Sequence, residues 1–473
     1  MGQQYDDERD GSGPLSRRDF LKRSSAVGAG AAMAPLVLNL TACSGGGEDT
    51  SPGPDGTGSS KATGDGSEAG ATGDGSGDGS GSEASGGAAG GAADTGGSTG
   101  TGGGATNSDA IADGAVLLGL YSGDGEAAAQ EAAKKLDFSW LGEGDTVLIK
   151  VATNSGNPHP ATTSPAGVKG MVAELKARGA GKVIVADQSG VEHVRLSAQG
   201  RFSSTRERWQ SNGLIAVEDV ADVHFFDDGG FEEGYFSATL PDENNWPNGM
   251  YLPNIIKEVD HIVYMPRIGA HTLAGLTLGQ KSAIGWLRDD SRHDLHNAAA
   301  QIYEKYAEIN YTQEIRDRFR MIVTINEAVL LFGGPDEGTE FHMEPTLVVA
   351  SNSLANHDAL ACSILVTLQN ISGAAPAGML YNAASASLFN TFFAGGAGVS
   401  TGEAGPWVSG STGSGYTPHR FEDGVSQERA ITRGWQLNGG KPDSISVVLD
   451  GESIDEGLKG GMETHGEGLY SFG

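Results

Sequence analysis

From residue 115 onward, short apolar runs alternate with stretches whose apolar residues recur at helical spacing. The apolar runs are typical of buried strands, and they lie at Ala115–Tyr121, Thr146–Val151 and Lys182–Ala186. The helical stretches are Gly125–Leu136 and Pro165–Arg178. Strand, helix, strand in this order predicts parallel pairing. The expected fold class is therefore α/β, a mostly parallel sheet with helices on both faces.

The same alternation continues toward the carboxyl end of the chain. Further strands are predicted at Asp222–Phe226, His261–Met265, Arg320–Ile325 and Leu347–Ala350. Further helices are predicted at Leu273–Leu287, Ala298–Phe319 and Ala355–Gln369. The Gly-, Ser- and Thr-rich stretch 374–424 is predicted to be loop with one short helix at Ala384–Phe393.

Residues 1–43 have the layout of a lipoprotein signal peptide. The segment SRRDFLK matches the twin-arginine export pattern, with Arg17 and Arg18 as its two arginines. The mildly apolar stretch that follows contains Pro35 and is too short for a stable membrane span. It ends in Leu-Thr-Ala-Cys, which resembles a lipobox whose Cys43 becomes lipidated and starts the mature protein. We therefore expect export by the twin-arginine translocase and a lipid anchor in the membrane of the cell envelope.

A flexible tether is predicted at residues 44–110. This segment contains 24 glycines and almost nothing apolar that could offset the entropy lost on ordering. A Gly-rich coil of this length spans roughly 45 Å, enough to hold a domain clear of a membrane surface. Ser44, in place of Asp, favours the outer membrane in a cell that has two. Residues 111–473 then form one globular domain.

Charge and cysteine content exclude several classes of function. The net charge is −30, which argues against binding a nucleic-acid backbone, because that needs clustered Lys and Arg. The negative charge has two possible roles: it keeps the protein soluble, or it binds divalent cations. The two cysteines, Cys43 and Cys362, cannot supply an iron–sulfur cluster or a four-cysteine metal site. Cys362 lies in an apolar run and is expected to be a buried thiol.

Four segments, in chain order, resemble the bacterial and archaeal family called domain of unknown function 362. They are Val147–Ala152 with the helix start at Thr162–Pro165, Val183–Gly190, Asp260–Gly285, and Ser351–Ile364. Asp358 stands where this family has an aspartate, and the resemblance makes it a candidate ligand-binding residue. The activity of the family is mostly unassigned. Some members carry ferredoxin-like cysteine motifs, which this chain lacks.

The sharpest candidate for chemistry is the segment HTLAGLTLGQK, from His271 to Lys281, followed by His293 and His296. Histidine suits proton transfer or metal binding, and lysine can neutralise an anionic ligand or form a covalent link. The segment is also similar to the central motif of lactate racemases. That resemblance implies His271 as an acid/base, Lys281 as the anchor of a nickel-pincer cofactor and His296 as a metal ligand. The Asp-Thr-Arg-Pro element of those enzymes has no match near residues 154–160.

An alternative is that His271 caps a helix while Lys281 and His296 face solvent. Histidines and a lysine clustered within 26 residues beside a Gly-rich turn make a functional role equally reasonable. A divalent metal held by His293 and His296 is the cofactor that this cluster would suit.

Other candidates follow the predicted strands. Asp187 and Ser189 come directly after a strand, at the edge where open α/β sheets bind ligands, although Asp187 could instead cap the next helix. Asn154 and Thr163 lie in the loop after the preceding strand. Ser164 opens a helix whose free amide groups could bind an anion.

Two functions remain open at this point. The first is an enzyme-like domain that binds a small anionic ligand, with His271, Lys281 and Asp187 as catalytic residues. The second is a non-catalytic envelope lipoprotein that binds a solute or a partner. An enzyme should bring these three side chains into one cleft, whereas a scaffold has no need to.

Overall fold

The computed structural model describes residues 108–191, 193–271, 274–297, 301–332, 334–373 and 424–473, and within them the side chains of His293, His296 and Asn297 are not described. The predicted signal peptide, nearly all of the predicted tether and the helix predicted at Ala384–Phe393 lie outside these residues. Within the described part of the chain, no helix is both long and apolar enough to span a membrane.

The described strands fall into one large sheet and two small hairpins. The strands are β1 Val116–Tyr121, β2 Thr146–Val151, β3 Lys182–Asp187, β4 Arg195–Ser197, β5 Gly200–Phe202, β6 Asp222–Phe225, β7 Tyr235–Ser237, β8 Tyr251–Pro253, β9 His261–Met265, β10 Gly269–His271, β11 Gly275–Thr277, β12 Phe319–Phe332, β13 Thr339–Ser351, β14 Ile445–Gly451 and β15 Tyr470–Phe472.

Helices connect and cover the strands of the large sheet. The α-helices are α1 Gly125–Ala133, α2 Pro165–Ala177, α3 Thr205–Asn212, α4 Gly279–Ser282, α5 Asp289–Asn297, α6 Ile302–Ile309, α7 Gln313–Arg316, α8 Leu354–Ser372, α9 Arg429–Leu437 and α10 Glu456–His465. Short 3₁₀ turns lie at Leu214–Asp219, Phe226–Gly229, Asn254–Glu258, Ala283–Trp286 and Val425–Gln427.

The large sheet has the strand order β15-β14-β1-β13-β12-β9-β2-β3-β6, with β10 and β11 attached beside β12. The run from β12 through β9, β2 and β3 to β6 is parallel throughout. β13 pairs antiparallel with both β12 and β1. The expected α/β class with a mostly parallel sheet is therefore confirmed. Because β9, β2 and β3 run in the same direction, their carboxyl ends meet at one edge of the sheet.

Both faces of the sheet are buried, as the continuous apolar strands required. Successive residues of β2 alternate between the faces: Val147 and Ile149 pack with α1 and α2, whereas Leu148 packs on the opposite side with Tyr264 and Trp286. The periodicity of a strand places Lys150 on the same side as Leu148. The strand therefore places Lys150 on the side of the sheet where Leu148, Tyr264 and Trp286 form an apolar core.

The structure differs from the helix expected at Leu273–Leu287. Gly269–His271 and Gly275–Thr277 instead pair as antiparallel strands, and Gly275 has a φ of 73°, which only glycine adopts without strain. Helical structure starts only at Gly279, whose N–H and that of Gln280 are bound by the Asp358 carboxylate. The capping carboxylate comes from a distant helix, so local pattern alone could not locate this start.

The single helix expected at Ala298–Phe319 is also interrupted. The described residues form α6 and α7, separated at Asn310–Thr312. The Asn310 side-chain amide donates to the carbonyls of Tyr306 and Ala307 and also to that of Gln280. These bonds satisfy the last carbonyls of α6 and end it.

Candidate functional site

A small cavity lies at the carboxyl ends of β2, β3 and β9. Its volume is about 70 Å³, and its wall includes the residues that directly follow these strands, among them Asn154, Gln188 and Arg267. The opposite wall comes from the segment between β11 and α5, including Lys281 and Gly285. This is the edge at which open α/β sheets bind ligands.

A buried ion pair lies beside the cavity, and its carboxylate, that of Asp187, is part of the cavity wall. Lys150 at the end of β2 is 0% exposed and Asp187 at the end of β3 is 1% exposed. The Lys150 Nζ lies 2.6 Å from the Asp187 Oδ1. Nζ also donates to the carbonyls of Val151 at 2.7 Å and Ser282 at 3.0 Å. Two hydrogen bonds to carbonyls and a close carboxylate oxygen fit a charged ammonium at Lys150.

The environment acts on both ionisable groups of this pair. Burial lowers the pKa of Lys150 and raises the pKa of Asp187, because a charge is less stable away from water. The attraction between the two groups works against both shifts. The Thr153 N–H, 2.7 Å from the Asp187 Oδ2, and the Gln188 N–H further favour the carboxylate form.

Three cationic side chains line the same cavity: Arg267, Lys281 and Arg292. Arg267 is 1% exposed and donates to the carbonyls of Pro160 and Pro335. Burial lowers the pKa of Arg267 to about 10, so it remains charged at neutral pH. Arg292 is also 1% exposed, and Asp289 lies 3.9 Å from its Nε. Positive charge therefore exceeds the single lining carboxylate.

The loop after β12 contributes Pro335 to the wall of the cavity, and Asp336 follows it in the chain. The Asn154 amide donates to the Asp336 carboxylate, and the His193 Nε2 lies 3.0 Å from its second oxygen. Burial raises the pKa of Asp336, but the hydrogen bonds from His193 and Asn154 outweigh it, so the pKa lies below its ordinary value. The loop is thereby attached to the residues that follow β2 and β3.

Some of the sequence-predicted residues meet at this cavity. Asp187, Asn154 and Lys281 all line it. His271 is not among its lining residues. That histidine is buried at the end of β10, and its Nδ1 accepts a hydrogen bond from the Ala274 N–H at 3.1 Å. The backbone of His293 and His296 lies in α5, and their side chains lie outside the described structure.

The remaining predicted ligand-binding residues make bonds within the protein. Thr163 donates from its hydroxyl to the Met265 carbonyl. Ser164 is the N-cap of α2, as its position predicted, and accepts from the Gly167 N–H. Asp358 caps α4, and the Ser189 carbonyl accepts from Arg292. Ser189 Oγ is buried and has no hydrogen-bond partner within the described structure.

Lys150 and Arg292 were not predicted as site residues. Lys150 had a visible signal, because a lysine inside the apolar run Thr146–Val151 must be either paired or exposed. Arg292 had none, since it lies in a polar helix and reaches the site only through tertiary packing. The predicted buried state of Cys362 is confirmed.

The described lining suits an anion better than a metal cation. It contains one carboxylate and three cations, and no histidine or cysteine. Across the described residues, no group of three or more His, Cys, Asp or Glu could hold a metal ion. A divalent metal bound through His293 and His296 therefore stays a prediction, because those side chains are outside the description.

Comparison with known proteins finds one family that resembles the part of the chain around this cavity. Residues 147–363 match the model of the family described as Domain of unknown function (DUF362). The match spans 217 of the 473 residues, and over that range the chain is similar to the DUF362 family. The matched range includes all of the cavity residues named above. No curated protein matches the chain.

Two solved structures resemble the chain at low identity. The lactate racemase apoprotein from Thermoanaerobacterium thermosaccharolyticum shares 17% identity at a TM-score of 0.32, over 50% of this chain and 56% of that one. A structural-genomics protein from Thermotoga maritima shares 13% identity at a TM-score of 0.30, over 46% of this chain and 52% of that one. The chain thus spans about half the length of these two structures.

Proposed function

We propose that this protein is an exported, lipid-anchored protein of the cell envelope whose DUF362 domain binds a small anionic ligand. The ligand would occupy the cavity at the carboxyl ends of β2, β3 and β9. Arg267, Lys281 and Arg292 would hold its charge, and Asn154 would contribute a polar contact. The leader with Arg17, Arg18 and Cys43 supports export and anchoring.

The observation that carries ligand binding is the concentration of positive charge in one cavity of an acidic protein. The chain has 31 Lys and Arg against 61 Asp and Glu, yet three of the four charged lining residues are cations. Cations that line one cavity attract an anion through their charge. Two of the three are held in place by backbone carbonyls, so they are already positioned for such a ligand.

We expect Lys281→Gln to weaken anion binding by about tenfold, since a hydrogen bond to a charged group contributes about 1.5 kcal/mol. Titration calorimetry with inorganic phosphate measures this change. Lys134→Gln is the matched control, because Lys134 pairs with Glu131 on the exposed surface of α1 and should leave affinity unchanged. Equal affinities for the wild type and the Lys281 variant would contradict the proposed site.

We expect Cys43→Ala to release the protein from the membrane fraction, because the lipid anchor is lost. Cell fractionation followed by immunoblotting measures the distribution. Cys362→Ala is the matched control: this thiol is buried in α8 and cannot be the lipid-carrying residue of the folded protein. A Cys43 variant that remains fully in the membrane fraction would rule out the lipid anchor.

A further inference from the structure

The carboxylate in the cavity restricts the chemistry of the ligand. An ionised carboxylate only accepts hydrogen bonds, so it repels a fully deprotonated anion that comes near. The three lining cations attract any anion of suitable size. Asp187 in the same cavity therefore discriminates among anions according to whether they bring a hydrogen-bond donor of their own.

Asp187 has capacity for one more donor. Its two oxygens can accept about four hydrogen bonds in all. Within the described structure, Oδ2 accepts from the Thr153 N–H, whereas Oδ1 lies 2.6 Å from the Lys150 Nζ and has no hydrogen bond of good geometry. Because Asp187 lines the cavity, its remaining acceptor position is available to a donor on a ligand there.

The positive charge of Lys150 favours the ionised form of Asp187, which accepts hydrogen bonds. The Lys150 ammonium donates to two backbone carbonyls and lies 2.6 Å from the Asp187 Oδ1. The ammonium is therefore committed to the protein and is not a ligand-binding cation. Lys150 is a positioning residue in this arrangement.

Thr277 gives a second, independent indication of a ligand with hydrogen-bonding groups. It lines the cavity and is 4% exposed. Its Oγ1 has no hydrogen-bond partner among the described residues. A buried hydroxyl without a partner is costly, and a polar ligand in the cavity would satisfy it.

Resting on the proposed anion binding, we propose that the ligand is a small oxyanion that carries its own O–H group. Arg267, Lys281 and Arg292 bind its charged oxygens, and Asp187 accepts a hydrogen bond from its hydroxyl. Hydrogen phosphate and short hydroxycarboxylates share this chemistry. Sulfate and acetate have the charge but lack the O–H group at neutral pH.

Titration calorimetry with two matched pairs of anions on the purified protein tests this inference. The first pair is phosphate and sulfate, which share a tetrahedral shape. The second pair is glycolate and acetate, which share a carboxylate. We expect the O–H member of at least one pair to bind roughly 10- to 100-fold more tightly, and that pair identifies the ligand class.

The outcomes separate the inference from the function on which it rests. Equal affinity within both pairs would overturn the requirement for an O–H group while anion binding stands. Binding of none of the four anions would overturn anion binding, and the inference with it.

Asp187→Asn supplies a second measurement. The amide can donate to sulfate, so the preference for phosphate over sulfate should fall toward one, mainly through tighter sulfate binding. Asp222→Asn is the control, because Asp222 pairs with Lys182 at the exposed edge strand β6, and it should keep the wild-type ratio. An unchanged ratio in folded Asp187→Asn protein would show that Asp187 does not select the ligand. Should this variant fail to fold, the affinities of the wild-type protein for the two pairs of anions still test the requirement for an O–H group.

Discussion

Lys150→Met is expected to lower the free energy of unfolding by about 3–5 kcal/mol, because it leaves the Asp187 carboxylate buried without its cation. Both side chains of this pair are essentially excluded from solvent, at 0% and 2% exposure. Asp187 would then either remain charged in a poorly solvating environment or take up a proton at neutral pH. Urea denaturation followed by intrinsic fluorescence measures the change.

A second buried lysine in the same protein is the matched control. Lys305 is also 0% exposed, but its partner Asp294 keeps 19% exposure and can be hydrated when the lysine is removed. Lys305→Met should therefore cost less than Lys150→Met. In addition, Lys150→Met combined with Asp187→Leu should recover most of the lost stability, since replacing both charges removes the unpaired one. A Lys150 variant as stable as the wild type would show that this ion pair is unimportant to the fold.

Gly285→Ala is expected to lower the free energy of unfolding by about 1–3 kcal/mol and to weaken anion binding as well. A Cβ at this position would lie 2.7 Å from the Lys150 Nζ and closer still to the Asp187 Oδ1. The backbone of Gly285 does not have a positive φ, so the effect comes from collision with the ion pair. Gly285 and Asp187 both line the cavity, so displacing the pair alters the cavity wall.

Gly460→Ala separates this collision from the general effect of adding a methyl group. Gly460 lies within α10 and a Cβ there would meet nothing within 4 Å. Alanine at an open helical position should stabilise the protein by up to about 1 kcal/mol. Urea denaturation of both variants and phosphate titration of Gly285→Ala measure the contrast. Two equally stable variants with wild-type phosphate affinity would show that the neighbourhood of Lys150 and Asp187 tolerates added volume.

The sequence predicted secondary structure well where one strong local pattern decided it. β2 and β9 were predicted with their observed bounds, and α2 differs by one residue at its carboxyl end. Their apolar runs and caps act over a few residues, so neighbouring sequence contains the needed information. Local pattern failed at Leu273–Leu287, where pairing between β10 and β11 overrides helical spacing.

For the site, the sequence pointed to the edge of the sheet at which the cavity lies, but to only some of the residues that line it. Asp187, Asn154 and Lys281 line the cavity, as expected of residues near the carboxyl ends of strands or in the glycine-rich segment. Ser164 and Asp358 have polar side chains as well, yet they cap α2 and α4. A polar residue near a helix start can serve either a ligand or the backbone, and only its partners in space distinguish the two.

The sequence by itself thus determined the α/β class, the parallel pairing of the central strands and the edge of the sheet at which the cavity lies, because these follow from local periodicity and chain direction. The tertiary structure alone decided that Lys150 pairs with Asp187, 37 positions along the chain, and with the Ser282 carbonyl, 132 positions away. It likewise brought Arg267 and Arg292 to one cavity. Such contacts depend on which strands become neighbours and how the intervening segments pack. The chemistry of the site is therefore a property of long-range packing.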